Sequence, residues 1–186
     1  MKRTVIIFGL ISGAISSLLM FLTVPLVERG KINFDNGEVI GYTAIFLSFL
    51  LVFFGIRSYR ENQGGGTISF GRAFTVGILI TLISCVFYVA SWEIIYFNFN
   101  FAPDFIEKYD AAVVAKMRTQ GASDAAIAER IKQLDQMKTL YQNPLYNSAL
   151  TFLEPFPVGL VVTLVSAGIL RRRRAPLPPA TAGVVA

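Results

Sequence analysis

Residues 4–27 have the sequence TVIIFGLISGAISSLLMFLTVPLV, a run of 24 residues without a charged side chain. An α-helix needs about 20 mainly apolar residues to cross a bilayer core of about 30 Å, so the run predicts a membrane-spanning helix. It is longer than the roughly 7 to 15 apolar residues of a signal peptide, and no small-residue cleavage motif precedes Glu28 and Arg29. We therefore expect this first span to be retained.

Three further apolar stretches, residues 39–56, 73–96 and 145–171, have the length and composition of membrane spans. With 54% hydrophobic and only 16% charged residues, the whole chain also departs from the composition of a soluble domain. The predicted fold class is an all-α polytopic membrane protein with four transmembrane helices. The first three spans form one unit, residues 1–97, and the lipid bilayer is the expected partner.

Residues 98–144 differ from the spans, because charged residues alternate there with periodic apolar ones. Gly121 interrupts the periodicity and Ser123 is a suitable N-cap, which predicts two amphipathic helices joined in a hairpin. We expect their apolar stripes to pack on each other or on the membrane surface; the alternative is a protein-binding surface, with Ile127, Ile131 and Leu134 as its candidates. The stripes are Phe105, Tyr109, Val113 and Met117, then Ile127, Ile131, Leu134 and Tyr141.

The distribution of basic residues in short loops predicts the orientation of the spans. Lysines and arginines are most frequent near the first residues, between spans two and three, and after span four. This favours a bacterial inner (plasma) membrane protein with both termini cytoplasmic and the hairpin extracytoplasmic. We expect residues 172–186, rich in Pro and Ala, to be a disordered cytoplasmic tail. The basic residues at the last boundary are Arg171, Arg172, Arg173 and Arg174.

Several kinds of chemistry are excluded by composition. The chain has no histidine and one cysteine, Cys85, so imidazole catalysis and the usual zinc ligand sets cannot be assembled. We expect no catalytic residues, no metal and no cofactor. The net charge of +5 is explained by arginines beside the spans, and we expect no nucleic-acid partner.

The first span carries small residues at helical spacing, namely Gly9, Gly13 and Ser17. Small residues let helix backbones approach closely where lipid provides no hydrophobic driving force. We expect this face to pack on another span of the same chain, with a homo-oligomer as the alternative.

Glu93 and Glu154 form the candidate intramembrane polar site, because ionisable groups within spans are rare and often functional. Pro155 and Pro157 follow the second glutamate and remove backbone donors, so the helix must bend or recruit other donors there. We favour a structural role, a kinked helix entrance whose carboxylate reaches water, Arg29 or Lys31 near the outer boundary. The alternative is a proton or cation site, formed by the carboxylate beside the released carbonyls.

Two segments resemble the DUF4199 family of bacterial four-span membrane proteins: TISFGRAFTVG at residues 67–77 and TFLEPFPVGLVVTLVSAGILR at residues 151–171. The spacing Glu154-x-x-Pro157-x-Gly159 is the most specific part, and the resemblance covers essentially the whole chain before the tail. It implies the four-span fold. It implies no catalytic or ligand-binding residue, because the family has no assigned function.

The leading functional hypothesis is a non-enzymatic integral membrane protein for assembly or partner binding through its hairpin. The alternative is a small ion- or proton-coupled transport component that uses Glu154 and Glu93. An intramembrane enzyme is the weakest hypothesis, because no nucleophile is paired with a base.

Overall fold

The structure is a computed structural model that describes residues 1–98 and 102–171. The described residues are mostly helical and contain no strand. Their helices run in the order α1 (Lys2–Glu28), α2 (Phe34–Asn62), α3 (Phe70–Asn98), α4 (Ala102–Thr119), α5 (Asp124–Tyr141), α6 (Pro144–Leu153) and α7 (Pro155–Leu170). The predicted tail, residues 172–186, lies outside the described residues, as do Arg172, Arg173 and Arg174.

Four helical segments are long and apolar enough to cross a membrane: α1, α2, α3 and the pair α6–α7. The predicted fold class, an all-α chain with four membrane-spanning helices, is thereby confirmed, and the chain is a multi-pass membrane protein. The helices are longer than the apolar stretches, because polar residues at their ends form capping hydrogen bonds and ion pairs that stabilise additional helical turns. At the start of α2, for example, the Asn36 amide donates to the Asn33 side-chain oxygen at 2.7 Å, and near its end Arg57 and Glu61 form an i,i+4 ion pair at 3.0 Å.

The bundle is most tightly packed where α2, α3 and α7 meet. Phe49, Val52 and Ile80 are fully buried there. Gly159 on α7 has no room for a side chain, because an added Cβ would clash with Thr81 and lie 2.9 Å from the Phe49 ring. Thr81 and Thr163 share a hydrogen bond of 3.0 Å between their hydroxyls, which satisfies both buried groups. Close packing with paired polar groups is typical of helices that associate within lipid.

The outer surface of the bundle is apolar, which is the reverse of a soluble protein. Large aliphatic side chains are exposed along every span, including Leu18, Leu22, Leu47, Val86 and Ile169. Such a surface is stable only against hydrocarbon, so the lipid bilayer is the expected surroundings of the spans.

One end of the bundle holds both described chain ends. The Met1 amino group donates to the Gln63 side-chain oxygen, and Gln63 in turn donates to Thr4 at 2.8 Å. Arg60 donates to the last carbonyl of α7, Leu170, at 3.5 Å, and Arg171 follows directly. The helical hairpin, α4 and α5, lies at the opposite end.

The hairpin has the local chemistry expected of its sequence. Gly121 adopts a φ of 76°, a left-handed conformation that ends α4 at little steric cost. Ser123 caps α5 by accepting from the Ala126 amide at 3.3 Å. Of the candidate partner residues on α5, Ile127 and Leu134 are only 6% and 7% exposed, whereas Ile131 is 42% exposed. The three therefore do not form one exposed surface, and the protein-binding role of the hairpin stays a prediction.

Candidate functional site

A cavity of about 1090 Å³ lies between the hairpin and the membrane helices. It exceeds the roughly 300 to 1,000 Å³ of most small-molecule sites. Apolar side chains from α1, α2, α4 and α5 form most of its wall, among them Leu19, Met20, Val24, Ile45, Val113, Met117, Leu134 and Met137. An apolar wall of this extent suits a molecule with a hydrocarbon portion.

Glu154 lies at the junction of the two helices that form the fourth span, and it lines the cavity. Helix α6 ends at Leu153 and α7 begins at Pro155, which has no backbone N–H to continue the ladder. The side chain of Glu154 faces the cavity and keeps accessible surface there, although it belongs to a membrane span. The fourth span thus presents a carboxylate to a cavity whose wall is mainly apolar.

The hydrogen-bond partner of Glu154 is an aromatic hydroxyl rather than a basic side chain. Tyr88 on α3 donates to Glu154 Oε2 at 2.9 Å. Within residues 1–98 and 102–171, Glu154 forms no ion pair with any basic side chain. This includes Arg29 and Lys31, the two partners that the sequence suggested. The carboxylate therefore keeps acceptor capacity toward the cavity.

The other ionisable groups in the wall are mostly acidic. Asp35, Glu38, Asp110 and Glu154 line the cavity together with two lysines, Lys116 and Lys138. Both lysines already have acidic partners, since Lys116 pairs with Asp35 at 2.8 Å and Lys138 with Glu107 at 3.3 Å. The remaining carboxylates give the chamber a negative potential.

The titration of hairpin groups reflects this environment. Burial raises the pKa of Asp110 above its ordinary value; the charges of Asp135 and Glu107 act in the same direction, and those of Lys138 and Arg130 oppose it. Burial also raises the pKa of Tyr141 to about 12, with the charge of Glu154 as the next cause. The end of α5 therefore lies close enough to Glu154 for the charge of that carboxylate to affect Tyr141.

Few contacts tie the hairpin to the first two spans. Lys116 reaches Asp35 at the start of α2, Lys108 reaches Glu28 at the end of α1 at 3.6 Å, and Tyr109 packs edge-on against Phe34. Exposed ion pairs of this kind contribute only about 0 to 1 kcal/mol each. The ion pairs between the hairpin and the first two spans are therefore individually weak.

Glu93 occupies a separate position. Ser148 on α6 donates to Glu93 Oε1 at 2.8 Å, and Glu93 is not among the residues that line the cavity. The two glutamates of the candidate polar site thus have different partners, and Pro155 and Pro157 adjoin only Glu154.

Asn147 is a polar residue that the sequence analysis did not single out. It is completely buried, accepts from the Trp92 indole at 2.9 Å and from Thr151 at 3.2 Å, and donates to the Tyr141 carbonyl at 3.2 Å. It links α3, α5 and α6 at the edge of the cavity. The sequence does contain a feature that could have identified Asn147: it is an amide side chain within the fourth apolar stretch. Such groups need hydrogen-bond partners inside a membrane.

The small residues of α1 lie against α3. A Cβ added to Gly9 would lie 2.9 Å from Cβ of Ile83, and one added to Gly13 would lie 2.7 Å from Cβ of Phe87. Ser17 accepts a hydrogen bond from Ser91 at 2.7 Å. In the described chain this face is thus occupied by a helix of the same protein.

These features define a multi-pass membrane protein with a hairpin-covered cavity at one end. A family model, "Protein of unknown function (DUF4199)", matches residues 7–172, most of the chain, so the protein belongs to this family. The resemblance predicted from residues 67–77 and 151–171 is confirmed. No curated protein matches the chain, and no solved structure does.

Proposed function

We propose that this protein is a non-enzymatic binding protein of the bacterial inner membrane, which holds an amphiphilic small molecule in the cavity beneath its extracytoplasmic hairpin. The observation that carries the proposal is the cavity of about 1090 Å³, whose wall is mainly apolar and includes the carboxylate of Glu154. A mainly apolar wall with a smaller number of polar groups is the usual composition of a small-molecule site. The proposal places both termini in the cytoplasm, in agreement with the basic residues near them.

Binding is favoured over conduction by the packing below the cavity. Toward the end that carries Arg171, fully buried side chains fill the space between α2, α3 and α7, including Phe49, Val52, Ile56, Val76 and Thr163. A solute at Glu154 meets a close-packed core rather than a second opening. Cores of this density do not admit a solute without rearrangement.

A second candidate function is ion- or proton-coupled transport. It is favoured by one observation, the carboxylate of Glu154 beside a proline-broken helix, an arrangement that transporters use for substrate and ion sites. This function requires the packed core to open, and Glu154→Gln should then abolish solute or proton flux in proteoliposomes. Unchanged flux in both Glu154→Gln and Glu93→Gln would exclude it.

The binding function is tested by filling the cavity. Gly41 lines the cavity and a Cβ there meets open space, so Gly41→Phe should occupy the chamber without disturbing the packing. Gly168 on α7 also has open space around it but faces outward, which makes Gly168→Phe a matched control. In phosphatidylcholine nanodiscs, calorimetric titration with dodecyl-chain probes should show saturable binding, weakened at least about tenfold, or 1.4 kcal/mol, by Gly41→Phe alone.

Two results would count against the proposal. One is the absence of saturable binding for every dodecyl probe, charged or uncharged. The other is equal binding by Gly41→Phe and the unmodified protein, which would place the probe outside the chamber.

A further inference from the structure

The part of the cavity wall around Glu154 combines a carboxylate with aromatic side chains. Tyr88 donates a hydrogen bond to Glu154, and Tyr42 and Tyr141 line the same cavity. Trp92 also lines the cavity, with its indole held by Asn147. Aromatic faces and a carboxylate are the groups that bind organic cations in proteins.

The charges around the cavity also favour a cationic ligand. The lysines that line it are paired with Asp35 and Glu107, whereas Glu38, Asp110 and Glu154 have no ion-pair partner within the part of the chain that the structure describes. A ligand with an anionic group would place it among these carboxylates, at a Coulombic cost that grows as water is excluded. A cationic group is attracted by the same carboxylates.

We propose that the ligand of this cavity is a lipophilic cation: a hydrocarbon body that contacts the apolar wall and an ammonium group that binds beside Glu154, with no anionic group next to it. This inference rests on the proposed binding function and specifies its ligand class. Tyr88 positions the carboxylate by donating to Oε2, so Oε1 is available to accept from the ammonium group. Tyr42 and Trp92 line the same cavity, and their rings offer the aromatic faces that cation–π contact requires.

The experiment compares head groups on one dodecyl chain. Dodecylammonium, dodecanol, dodecanoate and a lysophosphatidylethanolamine with a twelve-carbon chain are titrated into the full-length protein in phosphatidylcholine nanodiscs at pH 7, and empty discs are subtracted. We expect dodecylammonium to bind at least about tenfold more tightly than dodecanol. Dodecanoate and the lysophospholipid, which both carry an anionic group, should bind more weakly than dodecylammonium.

Substitution of the carboxylate provides the decisive comparison. Glu154→Gln keeps the size and an acceptor for Tyr88 but removes the charge, so the preference for dodecylammonium should disappear while dodecanol binding persists. Persisting dodecanol binding also shows that the variant is folded. Glu93→Gln is the matched control, because it removes a carboxylate bonded to Ser148 outside the cavity, and it should keep the preference.

The inference and the binding function fail in different ways. Equal binding of dodecylammonium and dodecanol, or a preference that survives Glu154→Gln, would overturn the cation and leave an amphiphile site. Binding of the lysophospholipid as tight as that of dodecylammonium would overturn the exclusion of an adjacent anionic group. Insensitivity of every probe to Gly41→Phe would overturn the site itself.

Discussion

Phe87 on α3 packs directly against Gly13 on α1, in the space that a side chain at position 13 would occupy. The two residues bring α1 and α3 together, and Ser17 and Ser91 add a hydrogen bond one turn further along. Spacing of small residues predicted that this face of α1 would pack, because glycine allows backbones to approach. It did not specify α3, since any span offering a large side chain would satisfy the same pattern.

Gly13→Leu should destabilise the bundle by about 1 to 3 kcal/mol, because a Cβ there already lies 2.7 Å from Phe87. Thermal unfolding in one detergent, followed by the fluorescence of Trp92, measures the loss. Ala14→Leu is the control, since Ala14 is the next residue and faces outward. Equal midpoints for Gly13→Leu and the unmodified protein would show that α1 does not pack on α3 through this position.

The junction between α6 and α7 is an element-scale feature, and it falls directly before Pro155, one of the two prolines at which the sequence predicts missing backbone donors. Proline cannot donate to the helix ladder, so the interruption at Glu154 follows from local chemistry. The same holds for the hairpin, whose turn at Gly121 and cap at Ser123 are local. The partner of Glu154 was not predictable in this way, because Tyr88 is 66 residues distant and meets it only through packing.

The hairpin should be more stable at acidic pH than at neutral pH, through Asp110. Its pKa is raised in the folded chain, mainly by burial, so the folded form binds a proton more tightly than the unfolded one. Stability from this group is therefore lost as pH rises from the unfolded value of about 3.9 through the higher folded value. Asp110→Asn should be the more stable form at pH 7.

Hydrogen exchange of α4 and α5 amides in the two proteins measures this effect. The advantage of Asp110→Asn should shrink as pH falls, because the native carboxyl becomes neutral as well. Asp135→Asn serves as a comparison, since its charge contributes to the raised pKa of Asp110. An advantage that grows at acidic pH would contradict the assignment.

At the scale of the whole molecule, the chain is arranged with apolar side chains outward and its cavity at one end. Both described chain ends lie at the other end, near Arg60 and Arg171. The bundle therefore has two chemically different ends, and the excess of basic residues at one of them predicts that this end faces the cytoplasm.

Orientation is tested by cysteine labelling in spheroplasts. Cys85 is fully buried, so a Cys85→Ala background removes the native thiol with little change in surface. Ala125→Cys on the hairpin should react with an impermeant maleimide from outside, and Asn62→Cys should react only after lysis. Both positions are exposed in the folded chain, so the comparison reports sidedness. The reverse labelling would invert the orientation.

The sequence by itself determined the class of protein: length and apolarity require helices that span a bilayer, and proline, glycine and capping residues set where those helices break and begin. These are local properties, read from neighbouring residues. Tertiary structure alone decided that Glu154 meets Tyr88, that Asn147 joins three helices, and that the hairpin encloses a chamber instead of presenting Ile127 and Leu134 outward. Those outcomes depend on which helices lie side by side, and hydrophobic pattern does not encode that choice, because lipid-facing and helix-facing surfaces of a span are equally apolar.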